Sequence, residues 1–420
     1  MAEYRVNNRI VSDEDPNFES MLESVYKTAS RPLCMCSEPG IEMQIARING
    51  HYFIKRMPNK GKDHSPQCGS FETPPELSGL GDLIGTAIQE KNGVTFLKFD
   101  FPLSHRPEKT SVKAPAEKDE EEEEKEKESV KSPSKRLSLR ATLHYLWQEA
   151  GLTRWHPTIK QRTWADVYRL ILLAVDNKQA NESHMKDFLY LPEPCTSENK
   201  WDVVGRRCHR WAAFRSNHPK QLMLIIGEVA KDGINGYDYG GTISIDEIQD
   251  THLLLSKEVH KSIVNHFAAE LALWRLGTRN RLVVGATFSI SSQGVGNIEQ
   301  ITFMPTTEEW IPFETSHERD LITRLLGKER SFEKILRYNF ARDYPIANIL
   351  LLDTMPTPTE MFVIRETKNK LEYKLGVDAA IEKSEKSTWR WDPMEDTMPE
   401  FPDSILGPAV APRQDIRAVM

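Results

Sequence analysis

A chain of 420 residues, 39% hydrophobic and 28% charged, has ample material for a folded core, and its five cysteines are too few for a disulfide scaffold. No apolar run reaches the length needed to span a bilayer, and the first residues lack the basic-then-apolar order of a secretion signal, so a cytoplasmic protein without membrane contact is expected. The formal charge of −7 is concentrated: residues 117–128 hold nine acids and three lysines, so the remainder is close to neutral and an anionic partner is not excluded.

In chain order, residues 1–30 read as an N-terminal extension and 31–104 as a zinc-binding, β-rich module. Within that module, 43–48 and 52–57 are strand-like runs joined by Asn49-Gly50, a two-residue loop of the kind that closes a hairpin because both positions favour positive φ. A further strand is expected over 94–99. Residues 105–137, with the Glu/Lys run and almost nothing apolar, read as a disordered acidic linker.

From 138 to 392 the texture is that of an α/β domain. Leu139, Leu143, Leu146, Trp147 and Ala150 share a helical face that Gly151 stops, and Thr163 with Asp166 opens a second helix. Strands are expected over 222–229, 242–245, 282–289, 298–304, 346–352 and 361–364, with an amphipathic helix over 257–276 and a capping box at Thr315 and Glu318. The five prolines of 393–420 mark an extended or disordered tail. The expected fold class is α+β or α/β: a small N-terminal zinc-knuckle β-hairpin module and a larger mixed-sheet domain with covering helices.

Cys34 and Cys36 form one knuckle, His64 and Cys68 another, and the intervening hairpin folds the chain back so that the two can meet. Three thiolates and an imidazole match the donor set and four-coordination of structural Zn²⁺, with no position left open for catalysis. His51, at the hairpin tip, is an alternative fourth ligand. The same segment resembles the opening of a bacterial family, domain of unknown function 1173, in its Arg-Pro-Leu-Cys-x-Cys start (31–36), its Lys-Arg-Met-Pro step (55–58) and its His-x-x-x-Cys close (64–68). The stretches LHYLWQEAGLTRWHP (143–157), LRYNFA (336–341) and ILLLDT (349–354) are similar too. The resemblance implies cargo of plasmids and integrative conjugative elements, and it implies no activity.

Two stretches interleave cations with rings. Arg154, Trp155, His156, Lys160, Arg162 and Trp164 read mainly as core anchors with arginines covering helix surface, whereas Arg206, Arg207, Arg210 and Trp211 suit a nucleic-acid-binding face. Asp353 and Glu366-x-Lys368 have the residue types of a metal-dependent nuclease, although Asn348 falls where an aspartate would precede the first strand; Glu228 with Lys231 is a second acidic strand end. Phosphate-loop, nucleophile-elbow and H-E-x-x-H motifs are missing. The leading expectation is a zinc-stabilised accessory protein that binds DNA or RNA and is not an enzyme. The alternatives are a working or degenerate nuclease and a protein–protein adaptor acting through the zinc module.

Overall fold

The computed structural model describes residues 2–405, apart from 49, 59, 92, 105–134, 219–220, 238, 339, 342 and 368. The chain opens with β1 (Glu3–Val6), β2 (Arg9–Ser12), α1 (Phe18–Val25), β3 (Leu33–Cys34), β4 (Ile41–Ile48) and β5 (His51–Arg56), whose strands form one sheet in the order β2-β1-β3-β4-β5. The β4–β5 hairpin pairs Met43 with Arg56 through Ile48 with His51, so the two-residue connection is the one the sequence signals. A second hairpin, not among the expected elements, precedes it: Asn7 and Asn8, both at positive φ, join β1 to β2. Because β1 also pairs with β3, the first thirty residues share a sheet with the strand that carries Cys34 and are not a mere extension.

Next come β6 (Ile88–Lys91), β7 (Val94–Leu97), α2 (Leu139–Glu149), β8 (Arg154–Trp155), α3 (Trp164–Val175), β9 (Lys178–Ala180) and β10 (Ser183–His184). The expected boundary at the acidic stretch is not where the packing changes. β7 pairs in parallel with β9 in a sheet ordered β10-β9-β7-β6, and Leu83, Ile88, Leu97 and Phe99 lie in the same core as Leu143, Trp147 and Ile171. Composition reports the cost of ordering a segment, and says nothing of which flanking strands pair across it. Most of the expected linker lies outside the described residues, but Leu137 is buried, its backbone bonded to Lys98 and Asp100. Both expected helices are present: α2 is capped by Ser138, and α3 opens on Thr163 and Asp166 as expected, with a complete capping box.

α4 (Met185–Phe188), β11 (Leu189–Tyr190) and α5 (Lys200–Asn217) lead into β12 (Met223–Tyr237), β13 (Gly240–Ile245), β14 (Leu253–Leu255), α6 (Lys257–His266), α7 (Ala268–Arg275), β15 (Arg281–Ile290) and β16 (Gly296–Thr306). Five of these strands close on themselves in the order β12-β13-β14-β16-β15 and back to β12, with β14 and β16 parallel; β11 lies alongside the first half of β12. Closure is possible because β12 bends. Its first half pairs with β15 and its second with β13, and the register shifts between Val229 and Ile234, beside Asp232 at positive φ. The helix expected over 257–276 is two helices, broken at Phe267, whose ring packs edge-on against Phe303 of the barrel. α6 packs on β13, β14 and β16; the imidazole of His260 occupies the space that a side chain at Gly236 would need, lying 2.2 Å from an ideal Cβ there.

The last unit is α8 (Ser316–Gly327), β17 (Phe332–Lys334), β18 (Ile349–Leu351), β19 (Thr359–Val363), α9 (Lys370–Lys383) and β20 (Thr388–Trp391), in a sheet ordered β20-β19-β18-β17-β8. Strand alternation divides its side chains between two layers. Ile349, Leu351, Met361 and Val363 pack with Leu321 and Leu325 of α8, while Leu350, Leu352, Phe362 and Ile364 pack with Tyr373 and Val377 of α9. As far as it is described, the tail is extended but docked: Phe401 packs on Trp389, and Arg330 donates to the Pro402 carbonyl at 2.8 Å. The whole is an α+β protein with an N-terminal strand region bearing the Cys/His residues and larger mixed sheets flanked by helices.

Candidate metal centre

The four expected ligands converge. Cys34 ends β3, Cys36 follows in the turn, His64 terminates a single 3₁₀ turn over Gly61–Asp63, and Cys68 closes a turn through its backbone bond to Ser65. The second knuckle needs Gly61, because the chain returns against it: Glu72 N donates to the Gly61 carbonyl at 3.0 Å, and a Cβ on Gly61 would lie 2.2 Å from that of Glu72. One donor atom from each of the four residues lies within 4.8 Å of the others, the one such group among the described residues.

The spacing tests whether a metal fits. Tetrahedral zinc with ligands near 2.3 Å sets donor–donor edges of roughly 3.8 Å. Here Cys34 Sγ and Cys68 Sγ are 3.6 Å apart, and His64 Nδ1 is 3.3 Å from Cys36 Sγ and 3.6 Å from Cys68 Sγ. The donor set and spacing therefore make a centre capable of coordinating a metal ion. The hydrogen bond shared by Cys34 and Cys68 pushes the Cys34 thiol up; with His64 and the Ser70 N–H, it holds Cys68 down to about 4 against burial. His51 is elsewhere, bonded through Nδ1 to Glu19 at 3.1 Å.

Three cations tie this region to the rest of the molecule. Arg154 of β8 donates to the carbonyls of Cys68, Pro66 and Phe71, gripping the His64–Cys68 knuckle from behind. Arg56 of β5 pairs with Glu72 at 2.5 Å and with Glu149 of α2 at 3.2 Å, and Lys178 pairs with the other Glu149 oxygen at 2.7 Å. Lys55 donates to the Leu173 carbonyl at 3.0 Å and to Asn177 at 2.8 Å, capping the end of α3. No spacing rule could have revealed the long-range contacts of this clamp, from Arg154 to Phe71, 83 positions apart, to Lys55 and Asn177, 122 apart.

The other expected sites do not converge on a free position. Arg206, Arg207, Arg210 and Trp211 all lie on α5, but Arg206 pairs with Glu193, Arg207 is buried in a two-pronged pair with Asp250, Arg210 donates to the carbonyls of Lys186 and Leu189, and Trp211 is buried against Tyr190 and Phe288. Asp353 is buried, held by Arg330 at 2.8 and 2.9 Å, by Ser331 N at 3.2 Å and by Ser404 Oγ at 3.1 Å. It stands two residues beyond β18, whereas the exposed Glu366 stands three residues beyond the antiparallel β19, so the two carboxylates sit at opposite ends of the sheet and cannot share a cation. Lys368 lies outside the described residues. Glu228 is held by Arg281 at 2.9 and 3.0 Å. In the first ring-and-cation stretch, Trp155 and Trp164 are core residues and Arg162 donates to the Leu152 carbonyl at 3.0 Å.

Fold and centre together define an α+β protein built around a Cys3His cluster able to hold a metal, and no helix among the described residues is long and apolar enough to cross a membrane. The chain belongs to the DUF1173 family, described as protein of unknown function, whose model it matches over residues 4–394. No curated protein and no solved structure matches it.

Proposed function

We propose that this DUF1173 protein is a cytoplasmic, non-enzymatic accessory protein that binds single-stranded nucleic acid on its five-stranded barrel, with structural Zn²⁺ at Cys34, Cys36, His64 and Cys68 holding the N-terminal sheet in place. The observation that carries the binding surface is a pair of bare rings. Tyr237 and Tyr239, at the tip of the β12–β13 hairpin, are 65% and 94% exposed. Tyrosine at a loop tip loses burial it could have had in the core, and an exposed pair is suited to stacking on bases. α6 starts at the same corner: Lys257 N is 3.5 Å from where a Cβ on Gly240 would stand, and Lys257 and Lys261 are exposed, with no ion pair among the described residues. Rings beside cations supply the two attractions that hold a single strand.

The barrel's strand order is that of five-stranded Greek-key barrels whose second and third strands and first hairpin loop take oligonucleotides. That likeness is of topology alone, and the exposed side chains are what mark this barrel as a binding surface. The test is fluorescence anisotropy with a labelled single-stranded 20-mer on metal-replete protein, beside elemental analysis. One zinc per chain is expected, with affinity falling steeply as salt rises and falling at least tenfold in Tyr237→Ala/Tyr239→Ala and in Lys257→Glu/Lys261→Glu. Zinc without oligonucleotide affinity at low salt would overturn the nucleic-acid reading in favour of a protein–protein adaptor.

A further inference from the structure

A cleft of about 510 Å³ opens beside the start of β6, lined by Gly85, Thr86, Gln89, Lys98, Lys135 and Arg136. None of these is a metal-site donor or part of the barrel. The three cations come from two stretches that the acidic run separates in sequence and the fold ties together. Lys98 follows β7, and the buried Leu137 donates to the Lys98 carbonyl at 2.8 Å and accepts from Asp100 N at 2.9 Å. This short ladder sets Arg136 beside Phe99, whose carbonyl accepts from Arg136 Nη1 at 3.3 Å, and it carries Lys135 in with it. The other three lining residues belong to the turn that leads into β6, where Gln89 donates to the Gly85 carbonyl at 3.2 Å and Thr86 donates to that of Asp82 at 3.0 Å. Gly85 has φ +80°, and a Cβ there would meet no atom within 4 Å, so open space stands where its side chain would be.

Lys98, Lys135 and Arg136 are exposed, and none makes an ion pair among the described residues. Burial pushes the Asp100 carboxyl up against the pull of its own backbone N–H and of Arg136, so this acid offsets part of the Arg136 charge and leaves that of the two lysines. A lone exposed lysine is ordinary solvated surface. Three cations that backbone bonds hold around one concave space repel one another and focus a positive field into it. An anion relieves that repulsion. The lining has no ring for a base to stack on and no apolar wall for an acyl chain, whereas two ammonium groups and a guanidinium suit phosphoryl oxygens.

We propose that this cleft binds two neighbouring phosphoryl groups of one ligand, held by Lys98, Lys135 and the guanidinium edge of Arg136 that Phe99 leaves unused, with no base recognition. The shared chemistry has two sources, a nucleoside di- or triphosphate and consecutive phosphodiesters of a nucleic-acid strand. The first needs nothing from the barrel, so the site does not depend on the reading above.

The full metal-replete chain, desalted, is titrated with inorganic pyrophosphate by calorimetry, against chloride at matched ionic strength, with its metal content measured before and after. One pyrophosphate per chain is expected. Lys98→Glu/Lys135→Glu should weaken binding at least tenfold, whereas Lys257→Glu/Lys261→Glu, the same change of charge on the barrel, should move it less than about twofold. Gly85→Asp and Gly85→Asn separate charge from shape: both side chains tolerate positive φ, and only the aspartate should weaken binding. Pyrophosphate that binds no better than chloride, or that binds Lys98→Glu/Lys135→Glu as it binds the parent, overturns the proposal. Binding that emerges only when Glu120–Glu124 are replaced by glutamine also overturns it, since the acidic run, which ends seven positions before Lys135, would then be the occupant. Displacement of pyrophosphate by a single-stranded 12-mer supports the site with a nucleic-acid backbone as its source. Displacement by adenosine and guanosine diphosphates alike, and not by the 12-mer, supports it with a free nucleotide. Tyr237→Ala/Tyr239→Ala should leave pyrophosphate binding intact, so failure of the barrel reading and failure of this cleft are read separately.

Discussion

The Cys/His knuckles and the arginines of α5 look alike in sequence, each a tight group of residues that commonly serve ligands, yet the fold treats them oppositely. The four metal-site donors come from two separated turns and face one another within 4.8 Å. The arginines come from one helix, and each is turned onto a protein acceptor of its own. Residues brought together by tertiary structure with no protein counter-group imply an absent ligand. Residues clustered by sequence and individually satisfied imply packing.

The largest effect that contrast predicts is at the knuckles. Structural zinc contributes on the order of 10 kcal/mol in isolated finger peptides, and the strands here keep other contacts, so Cys36→Ser should cost several kcal/mol and release the metal. Elemental analysis with thermal unfolding checks it; a variant that keeps its metal and its melting temperature would show that convergence alone is not a ligand site.

The clamp behind the knuckles should give way to acid. Burial pushes the Glu149 carboxyl up, but Lys178 and Arg56 outweigh it and hold it down to about 2, below its unfolded range. A carboxylate depressed in the folded state stabilises the protein above its unfolded pKa of about 4.3, and that contribution is lost as pH falls from there towards 2. Glu149→Gln should therefore cost about 3 kcal/mol at pH 7 and flatten the stability profile between pH 4.5 and 2. An unaltered acid limb in denaturant titrations would assign the acid sensitivity to other groups.

How much of this was legible beforehand follows from which interactions are local. The metal ligands, the Asn49-Gly50 hairpin and the capping box at Thr163 depend on residues a few positions apart and on donor chemistry, and the sequence carries them. The Asn7-Asn8 hairpin was equally local; two asparagines, each tolerant of positive φ, between Tyr4–Val6 and Ile10–Val11 were the available signal. Barrel closure was not legible, because the run 232–241 is so rich in glycine that it reads as a turn, whereas those glycines let β12 continue past a bulge and make room for His260. Nor was the pairing of Glu314 with Arg140, Arg337 and Arg365, whose members are up to 174 positions apart. Charge patterning shows which residues carry charge, and only the fold shows which of them meet.

The smallest expected effects sit on α5, and they are the ones that sharpen the distinction between packing and binding. Arg207 is buried and its pair with Asp250 is two-pronged, so Arg207→Met leaves a partly exposed carboxylate without its partner and should cost about 2 kcal/mol. Arg206 meets Glu193 on the open surface, where such pairs contribute about 0–1 kcal/mol, so Arg206→Ala should change the melting temperature little. On the barrel reading neither change moves oligonucleotide affinity more than about threefold at fixed salt, because a satisfied arginine has little left for a phosphate. A Kd raised tenfold by Arg206→Ala, with stability intact, would instead mean that a phosphate displaces Glu193 from this weak surface pair. The binding face would then extend from the tyrosine hairpin to α5, and a side chain already holding a partner could no longer be set aside as mere packing.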